Sequence, residues 1–515
     1  MAYLMGIDVG TTGTKAILIE ETGKVISSLL EEYPLYTPRP NWAEQNPEDW
    51  WNATVKSIKG VLAKSGIKGG EIKGVGLSGQ MHGAVLIDRS YRVLRPCILW
   101  CDQRTAKQCN YINRTIGKKR LIELTSNPAL TGFTAGKVIW VRDNEPQIYE
   151  KIFKVLLPKD YIRLKLTGSI ATEVSDASGT LFLNVRKRRW SSEVLEKLNI
   201  DEDLMPECYE STVVSGEISR DASRQTGLRA GTPVVGGGGD QAAQAVGSGI
   251  IKEGRISFTV GTSGVVFAFS DKVKVDPLGR VHTFCHAVPG KWHIMGVMLS
   301  AGGSLRWFRD NLGAEEIREA RARGVDPYEI LTEEAASVEA GSEGLIFLPY
   351  LTGERTPYPD PDARGVFFGL TLRHKKAHLV RSIMEGVSYG LRDSLEIIKE
   401  MGVPVEEARA SGGGARSSLW RQIQSDISGL ELVTVNVTEG AAFGAALLAG
   451  VGTKVYNNVE EACEGTIRIT SRVFPQKEKA KKYEEYYKIY RSLYSLLKDS
   501  FSKVSRIVED SFEMQ

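Results

Sequence analysis

Four glycine-punctuated turns and one carboxylate define where this chain could do chemistry. The run Asp8-Val9-Gly10-Thr11-Thr12-Gly13-Thr14-Lys15 sets an acid immediately before a tight turn. Such a turn aims backbone N–H groups outward into a concavity that suits anions. The hydroxyls of Thr11 and Thr12 add donors there, Gly13 keeps the turn tight, and Lys15 adds charge. Asp8 could hold Mg²⁺, directly or through water. The plain alternative is an ordinary β-turn. A matching turn, Gly261-Thr262-Ser263-Gly264, stands 251 positions later. Two such turns could grip the β- and γ-phosphates of ATP, and no G-x-x-x-x-G-K-[ST] loop exists to do so instead. Gly236-Gly237-Gly238-Gly239-Asp240-Gln241 brings a carboxylate to the end of a backbone that a ligand can approach closely. Phosphoryl transfer to an alcohol needs a group that takes the hydroxyl proton, and a positioned Asp can do so. The competing reading of Asp240 is a helix N-cap.

Ser411-Gly412-Gly413-Gly414-Ala415-Arg416-Ser417-Ser418 precedes a helix-like stretch, an arrangement able to lay backbone against adenine or phosphate, or simply to start a helix. Gly79-Gln80-Met81-His82-Gly83 follows a buried strand, so its polar side chains would line a pocket, although a lone histidine is more often structural. Gly74-Val75-Gly76-Leu77-Ser78-Gly79 matches the dinucleotide pattern G-x-G-x-x-G. That pattern should follow a strand and open a helix, whereas here it lies within a strand, which argues against a nicotinamide dehydrogenase.

Apolar runs predict strands over 3–9, 15–20 and 25–30, then over 72–78 and 84–88. Trp51, Val55, Ile58 and Leu62 predict a helix over 48–62. Strand and helix signals alternate along the chain, as in an α/β protein. Val9-Gly10-Thr11-Thr12-Gly13 and Val260-Gly261-Thr262-Ser263-Gly264 differ only in Thr against Ser, and both sit between strand-like runs. Two lobes that each open with one β-hairpin would produce this echo, with a boundary near 247–253. From Lys477 to about Val508, Tyr483, Tyr486, Tyr490, Leu493, Leu497, Phe501, Val504 and Val508 predict one long amphipathic helix. Its apolar stripe is expected to dock on a lobe, with a homodimer contact as the other use.

The 515 residues carry 66 Lys and Arg against 63 Asp and Glu, a net charge of +3. No basic excess points to nucleic acid, and the cluster Arg186-Lys187-Arg188-Arg189 reads as a solvated turn, with an anion or partner site as the alternative. No apolar run is long enough for a membrane span. Asp8 interrupts the only stretch resembling a leader. Six cysteines without a C-x-x-C pair fit reduced thiols in the cytoplasm and argue against a zinc site or a redox motif.

Over nearly its whole length the chain resembles the FGGY carbohydrate kinases, within the group that shares the actin/Hsp70/hexokinase-type (ribonuclease H-like) fold. The resemblance rests on residues 6–18, Trp42-Ala43-Glu44-Gln45 with Pro47-Glu48-Asp49-Trp50-Trp51, and residues 78–83, 99–104, 236–243, 301–308, 348–368, 411–426 and 439–448. The segments 78–83 and Tyr350-Leu351-Thr352-Gly353-Glu354-Arg355-Thr356-Pro357 are most similar to the xylulokinase branch. Glycerol kinases carry an Arg-Glu-containing motif where this chain has Met81-His82.

The resemblance implies an α/β fold of two lobes with an ATP cleft between them. Residues 1–247 would be the sugar-binding lobe, 248–474 the nucleotide-binding lobe and 475–515 the C-terminal helix. It implies transfer of the γ-phosphoryl of ATP, with Mg²⁺, to a hydroxyl of a small ketose, taking D-xylulose to D-xylulose 5-phosphate. Residue by residue, Asp240 matches the catalytic base and Asp8 the aspartate near Mg²⁺. Thr11, Thr12, Gly13, Gly261 and Thr262 match the phosphate hairpins, joined by Lys15 and Ser263 of the same turns. Gly302 and Arg306 match a region near the phosphates, and Gly413 and Ser417, with Gly414, the adenosine site. Met81, His82 and Asp240 match the sugar positions. Gln80 neighbours them, and Trp100, Asp102 and Arg104 lie where relatives line the sugar pocket. Cys101 stands where Asn is expected and Gln244 where a small residue is expected, both near the sugar. Another ketose, a polyol or a related sugar would then be the alternative acceptor. A non-catalytic ATP switch of actin or chaperone type is the rival from another class.

Overall fold

The computed structural model describes residues 1–513, so the last two positions of the expected C-terminal helix lie outside the described residues. The chain forms two compact units. The first comprises Met1–Lys252, Phe269–His293 and Asn436–Arg468, and the second comprises Glu253–Ala268, Ile294–Val435 and the chain from Ile469 onward.

In the first unit, Tyr3–Val9, Gly13–Glu20 and Val25–Glu32 form an antiparallel meander. The strand Ile72–Gly79 joins Tyr3–Val9 in parallel, with Asp8 opposite Ser78. Pro233–Val235 and then Val214–Glu217 extend that edge, and Gly238–Gly239 pairs with the far end of Ile72–Gly79. The dinucleotide-like glycines therefore lie inside a strand, as expected. They serve packing: a Cβ on Gly76 would collide with the carbonyl of Ala445, so glycine lets the helix Gly440–Gly452 lie close on the sheet. That helix carries no charge, and its residues 442–450 are all buried.

The helix Pro47–Ser65 covers the sheet as well. Asn46 caps it by accepting from Glu48 N–H at 3.2 Å, Pro47 occupies the first turn, and Gly66 ends it in the left-handed region. Its buried face runs through Trp50, Trp51, Ile58 and Val61, while Val55 and Leu62 sit at the edge of the core. Each large apolar side chain buried this way contributes about 1.5–3 kcal/mol. The basic cluster is a turn, but Arg188 leaves solvent and pairs with Glu210 at 2.7 Å.

The second unit repeats the opening device. Gly254–Val260 and Gly264–Ser270 form an antiparallel hairpin, and Val405–Ser411 lies parallel to its first strand. Glu431–Val435 and Ile469–Val473 continue the sheet. The helix Lys477–Glu513 docks through Tyr483, Tyr487, Tyr490, Leu493 and Phe501. Tyr483 donates to Glu385 at 2.8 Å and accepts from Arg381 at 2.9 Å, and Tyr487 donates to Asp393 at 2.7 Å. The buried stripe thus takes Tyr487 in preference to Tyr486 and Ser505 in place of Val504. Val504 and Val508 face solvent, because a 3.6-residue period drifts across so long a helix.

Candidate active site

Asp8 and Asp240 reach the same end of the first unit's sheet by register. Asp8 stands opposite Ser78, Gly238 stands opposite Ser78 from the other side, and Asp240 follows one residue beyond the Gly239–Gly79 pair. Asp240 opens the helix Asp240–Gly247, where a carboxylate is favoured by the exposed N–H groups, and its Oδ1 accepts from Gln241 N–H at 2.7 Å. Burial, and then the neighbouring charge of Asp8, push the Asp240 carboxyl up to about 7. Burial also raises Asp8, whose Oδ1 is enclosed without a hydrogen-bond partner. A group poised near neutrality can both lose and hold a proton at physiological pH. Gly237, at φ +74°, makes the approach possible, since a Cβ there would collide with the Leu77 carbonyl.

The turn after Val9 is a tight hairpin in which Gly10 N–H donates to Gly13 O at 3.0 Å. Thr12 faces solvent, and Tyr33 OH holds Gly10 O from beneath. Thr11 is tied into a network. Its hydroxyl donates to Gln80 Oε1 at 3.1 Å and accepts from Trp100 Nε1 at 3.0 Å. Gln80 Nε2 donates to Gln45 Oε1 at 2.9 Å, and Gln45 Nε2 donates to Thr11 O at 2.7 Å. Gln45 also accepts from Trp50 Nε1 at 3.1 Å. Gln80 is therefore a strut between the hairpin and the 79–83 turn, with both ends of its amide engaged. Gln45 is the piece that residue-by-residue reading missed. It stood in the Trp42-Ala43-Glu44-Gln45 motif without a role. Lys15 pairs with Glu439 at 2.8 Å, on the segment that returns to this unit late in the chain.

Met81 lies against Gly239, where an added Cβ would stand 3.0 Å from its Cγ, so it neighbours Asp240. His82 adopts φ +70°, and its Nδ1 lies 2.7 Å from Gly179 O. Its ring meets Phe133 edge-on at 4.7 Å. The His82 carbonyl accepts from Lys137 Nζ at 2.7 Å and Thr134 Oγ1 at 3.1 Å. Lys137 is fully enclosed, and burial depresses its ammonium to about 7. Trp100 is exposed, whereas Asp102 is buried and accepts from Ala43 N–H at 2.7 Å and from Arg104.

In the second unit, Gly261, Thr262 and Ser263 form the hairpin turn, with Gly261 N–H donating to Ser263 O at 3.0 Å. The start of the helix Gly302–Leu312 holds that turn: Ala301, Gly302 and Gly303 donate to the carbonyls of Thr262, Gly261 and Thr262 at 2.9, 2.8 and 3.0 Å. Gly414 sits against Val260, and a Cβ on Gly413 would meet open space. Ser417 caps the helix Ser418–Ser428 by accepting from Trp420 N–H at 3.1 Å. Gly302, Gly414 and the hairpin thus converge around Val260 and Gly261. Arg306 projects into solvent from the same helix, 3.5 Å from Asp310.

A duplicated hairpin unit, one copy bearing two neighbouring half-buried carboxylates, describes a phosphotransferase built on the ribonuclease H-like fold. Residues 3–247 match the N-terminal domain of the FGGY family of carbohydrate kinases, and residues 256–453 match its C-terminal domain. The chain belongs to this family. It is 40% identical to a xylulose kinase of Escherichia coli (strain K12), over 96% of this chain and 99% of that one. It is 37% identical to a xylulose kinase of Bacillus subtilis (strain 168), over 97% and 98%. A gluconokinase of the same Bacillus is 35% identical, over 98% of each chain. The crystal structure of a ligand-bound xylulose kinase from Lactobacillus acidophilus superposes with a TM-score of 0.91 at 27% identity, covering 98% and 100% of the two chains.

Proposed function

We propose that the protein transfers the γ-phosphoryl of ATP to the terminal hydroxyl of D-xylulose, giving D-xylulose 5-phosphate and ADP, with Asp240 as the general base. The observation that carries this is the Asp240 carboxyl, held near neutrality beside Asp8 at the end of a glycine strand. Relatives named xylulose kinase across nearly the full length support the acceptor.

The sugar rests on the 79–83 turn, where Met81 lies next to Asp240 and His82 follows it along the chain. Asp240 accepts the proton of the attacking hydroxyl as its oxygen bonds to the γ-phosphorus. The bond from that phosphorus to the β,γ-bridging oxygen breaks, and ADP carries the electron pair away. N–H groups of the Thr11–Thr12 turn and the exposed Thr12 hydroxyl receive phosphate oxygens, and the Gly261–Thr262 turn offers the same chemistry in its own unit. Gly413, Gly414 and Ser417 take the adenosine side. The unpartnered Asp8 Oδ1 would hold Mg²⁺, directly or through water, since that ion takes only one or two carboxylates besides water and phosphate. When bound, that ion would supply positive charge to offset the charge of the transferring phosphoryl group.

The test is ADP release from MgATP with D-xylulose, D-ribulose, glycerol and gluconate as acceptors, with Asp240→Ala as control. D-xylulose should give the highest kcat/KM, and the variant should lose turnover by orders of magnitude with ATP affinity kept. Preference for gluconate, which the gluconokinase relative makes the second reading, would reassign the acceptor. ATP turnover that no sugar stimulates would leave an ATP switch.

A further inference from the structure

The stretch that delivers Asp240 is four glycines, of which Gly238–Gly239 form a strand, and it has no side chains of its own to fix it. It is instead held from outside at almost every peptide. Arg163, completely buried, donates from Nη1 to Val235 O at 2.7 Å and from Nη2 to Gly236 O at 2.6 Å. Gly236 N–H donates to Val213 O and Gly237 N–H to Ser211 O, both at 2.8 Å. Gly239, the last residue before the carboxylate, donates its N–H to Ser175 Oγ at 3.0 Å.

These outside holds converge on Glu173. Ser175 Oγ donates to Glu173 Oε1 at 3.0 Å, and Ser211, which holds Gly237, donates its hydroxyl to Glu173 Oε2 at 3.0 Å. Glu173 also caps the short helix Val174–Ala177 by accepting from Ser175 and Asp176 N–H at 2.7 and 2.9 Å. Behind it lies a sealed ionic cluster. Lys159 Nζ stands 2.7 Å from Asp160, 3.0 Å from Asp176 and 3.5 Å from Glu173, and all four residues have no solvent exposure. Gathering this much charge inside a domain is costly, and a hydrophobic replacement would give equal or better stability. Lys159 packs its stem against Gly79 at the start of the substrate turn, while its ammonium is turned into the cluster, so the use of the cluster lies in what it holds.

We propose that Ser175 and Glu173 are positioning residues that fix the Gly239–Asp240 peptide, and with it the direction of the general-base carboxylate. The inference rests on Asp240 being the base. Ser175 supplies the only side-chain contact to Gly239 N–H among the hydrogen bonds of the described residues, and Glu173 orients the Ser175 hydroxyl so that its lone pair faces that N–H. A displacement of about 1 Å at a reacting group lowers turnover on the order of 100-fold without altering how the other substrate binds.

The experiment is steady-state kinetics of the full-length enzyme with MgATP and D-xylulose for Ser175→Ala, Ser175→Thr and Glu173→Gln, each made alone and in the Asp240→Asn background. We expect Ser175→Ala to lower kcat about 10–100-fold with KM for ATP within about twofold of wild type. Ser175→Thr, which keeps the hydroxyl, should recover most of the loss. On Asp240→Asn the same Ser175→Ala change should cost almost nothing more, because a positioning residue acts only through the group it positions. Glu173→Gln keeps an acceptor oxygen and reports the same non-additivity with a smaller loss if Ser175→Ala folds poorly. An unchanged kcat in Ser175→Ala and Glu173→Gln, or an equal fold-loss in both backgrounds, overturns the proposal. Wild-type turnover by Asp240→Asn would instead overturn the assignment of Asp240 itself.

Discussion

Replacing Asp240 with Asn should make the protein more stable while it destroys activity, and the gain should depend on pH. Burial and Asp8 raise the Asp240 carboxyl from an ordinary 3.8 to about 7. A carboxyl raised in the folded state binds its proton more tightly there than in the unfolded chain. Its favourable contribution is therefore complete below about pH 4 and is lost as pH rises through about 7. Above that pH the folded protein carries the cost of an ionised, half-buried carboxylate. The shift corresponds to about 4 kcal/mol. Asp240 keeps partial access to solvent, so about half of that, roughly 2 kcal/mol, is the expected effect. Asn keeps the shape without the charge. Denaturant unfolding followed by tryptophan fluorescence, to which buried Trp50 and Trp51 of the same unit contribute, should show Asp240→Asn and wild type equal near pH 4. The variant should gain steadily toward pH 8. A gain that is the same at pH 5 and pH 8, or no gain at pH 8, would refute the placement of a strained carboxylate at this position.

Other perturbations separate the parts of the site. The activity of wild type should fall as pH drops through about 7, because the base must be unprotonated; a flat kcat/KM profile from pH 8 to 6 would contradict this. Gln45→Leu strands the Thr11 carbonyl and the Gln80 amide, each buried polar loss costing about 1–3 kcal/mol. It should raise KM for both substrates, and a change in one alone would show that the hairpin and the 79–83 turn are not linked through it. Gly237→Ala forces a Cβ into the Leu77 carbonyl at φ +74° and should cost several-fold more activity than Gly413→Ala, which meets open space. Tyr483→Phe removes the hydroxyl shared by Arg381 and Glu385 and should lower the stability of the second unit by about 1–3 kcal/mol, read by calorimetry, with kcat unchanged.

Much of the local architecture is legible in the sequence because it follows from short-range rules. The paired hairpins at Val9 and Val260 are visible as glycine turns between apolar runs, and both form. The helix at Pro47 is legible through the helical spacing of Trp51, Val55, Ile58 and Leu62, and the structure adds its cap at Asn46 and its start at Pro47. The long C-terminal helix is equally plain, but its buried stripe slides from Tyr486 to Tyr487, since period alone does not fix which face a helix turns inward. What sequence order cannot supply is the return of Asn436–Arg468 to the first unit. That return depends on glycine and alanine backbones meeting across more than 360 residues, as at Gly76 and Ala445. The role of Gln45 is hidden for a similar reason, because its partners Thr11 and Gln80 lie 34 and 35 residues away in opposite directions along the chain. The clamp of Ser175 and Glu173 on Gly239 has no sequence signal at all beyond polar residues in an otherwise buried stretch.

The most direct test is a single turnover with γ-labelled MgATP and saturating D-xylulose, comparing wild type with Asp240→Ala after ATP binding is measured separately for each. The account predicts equal ATP affinity and formation of labelled D-xylulose 5-phosphate slowed by about 10²–10⁴. Sugar phosphate appearing at the wild-type rate would contradict it, because the hydroxyl proton would then be leaving by a route that does not involve this carboxylate.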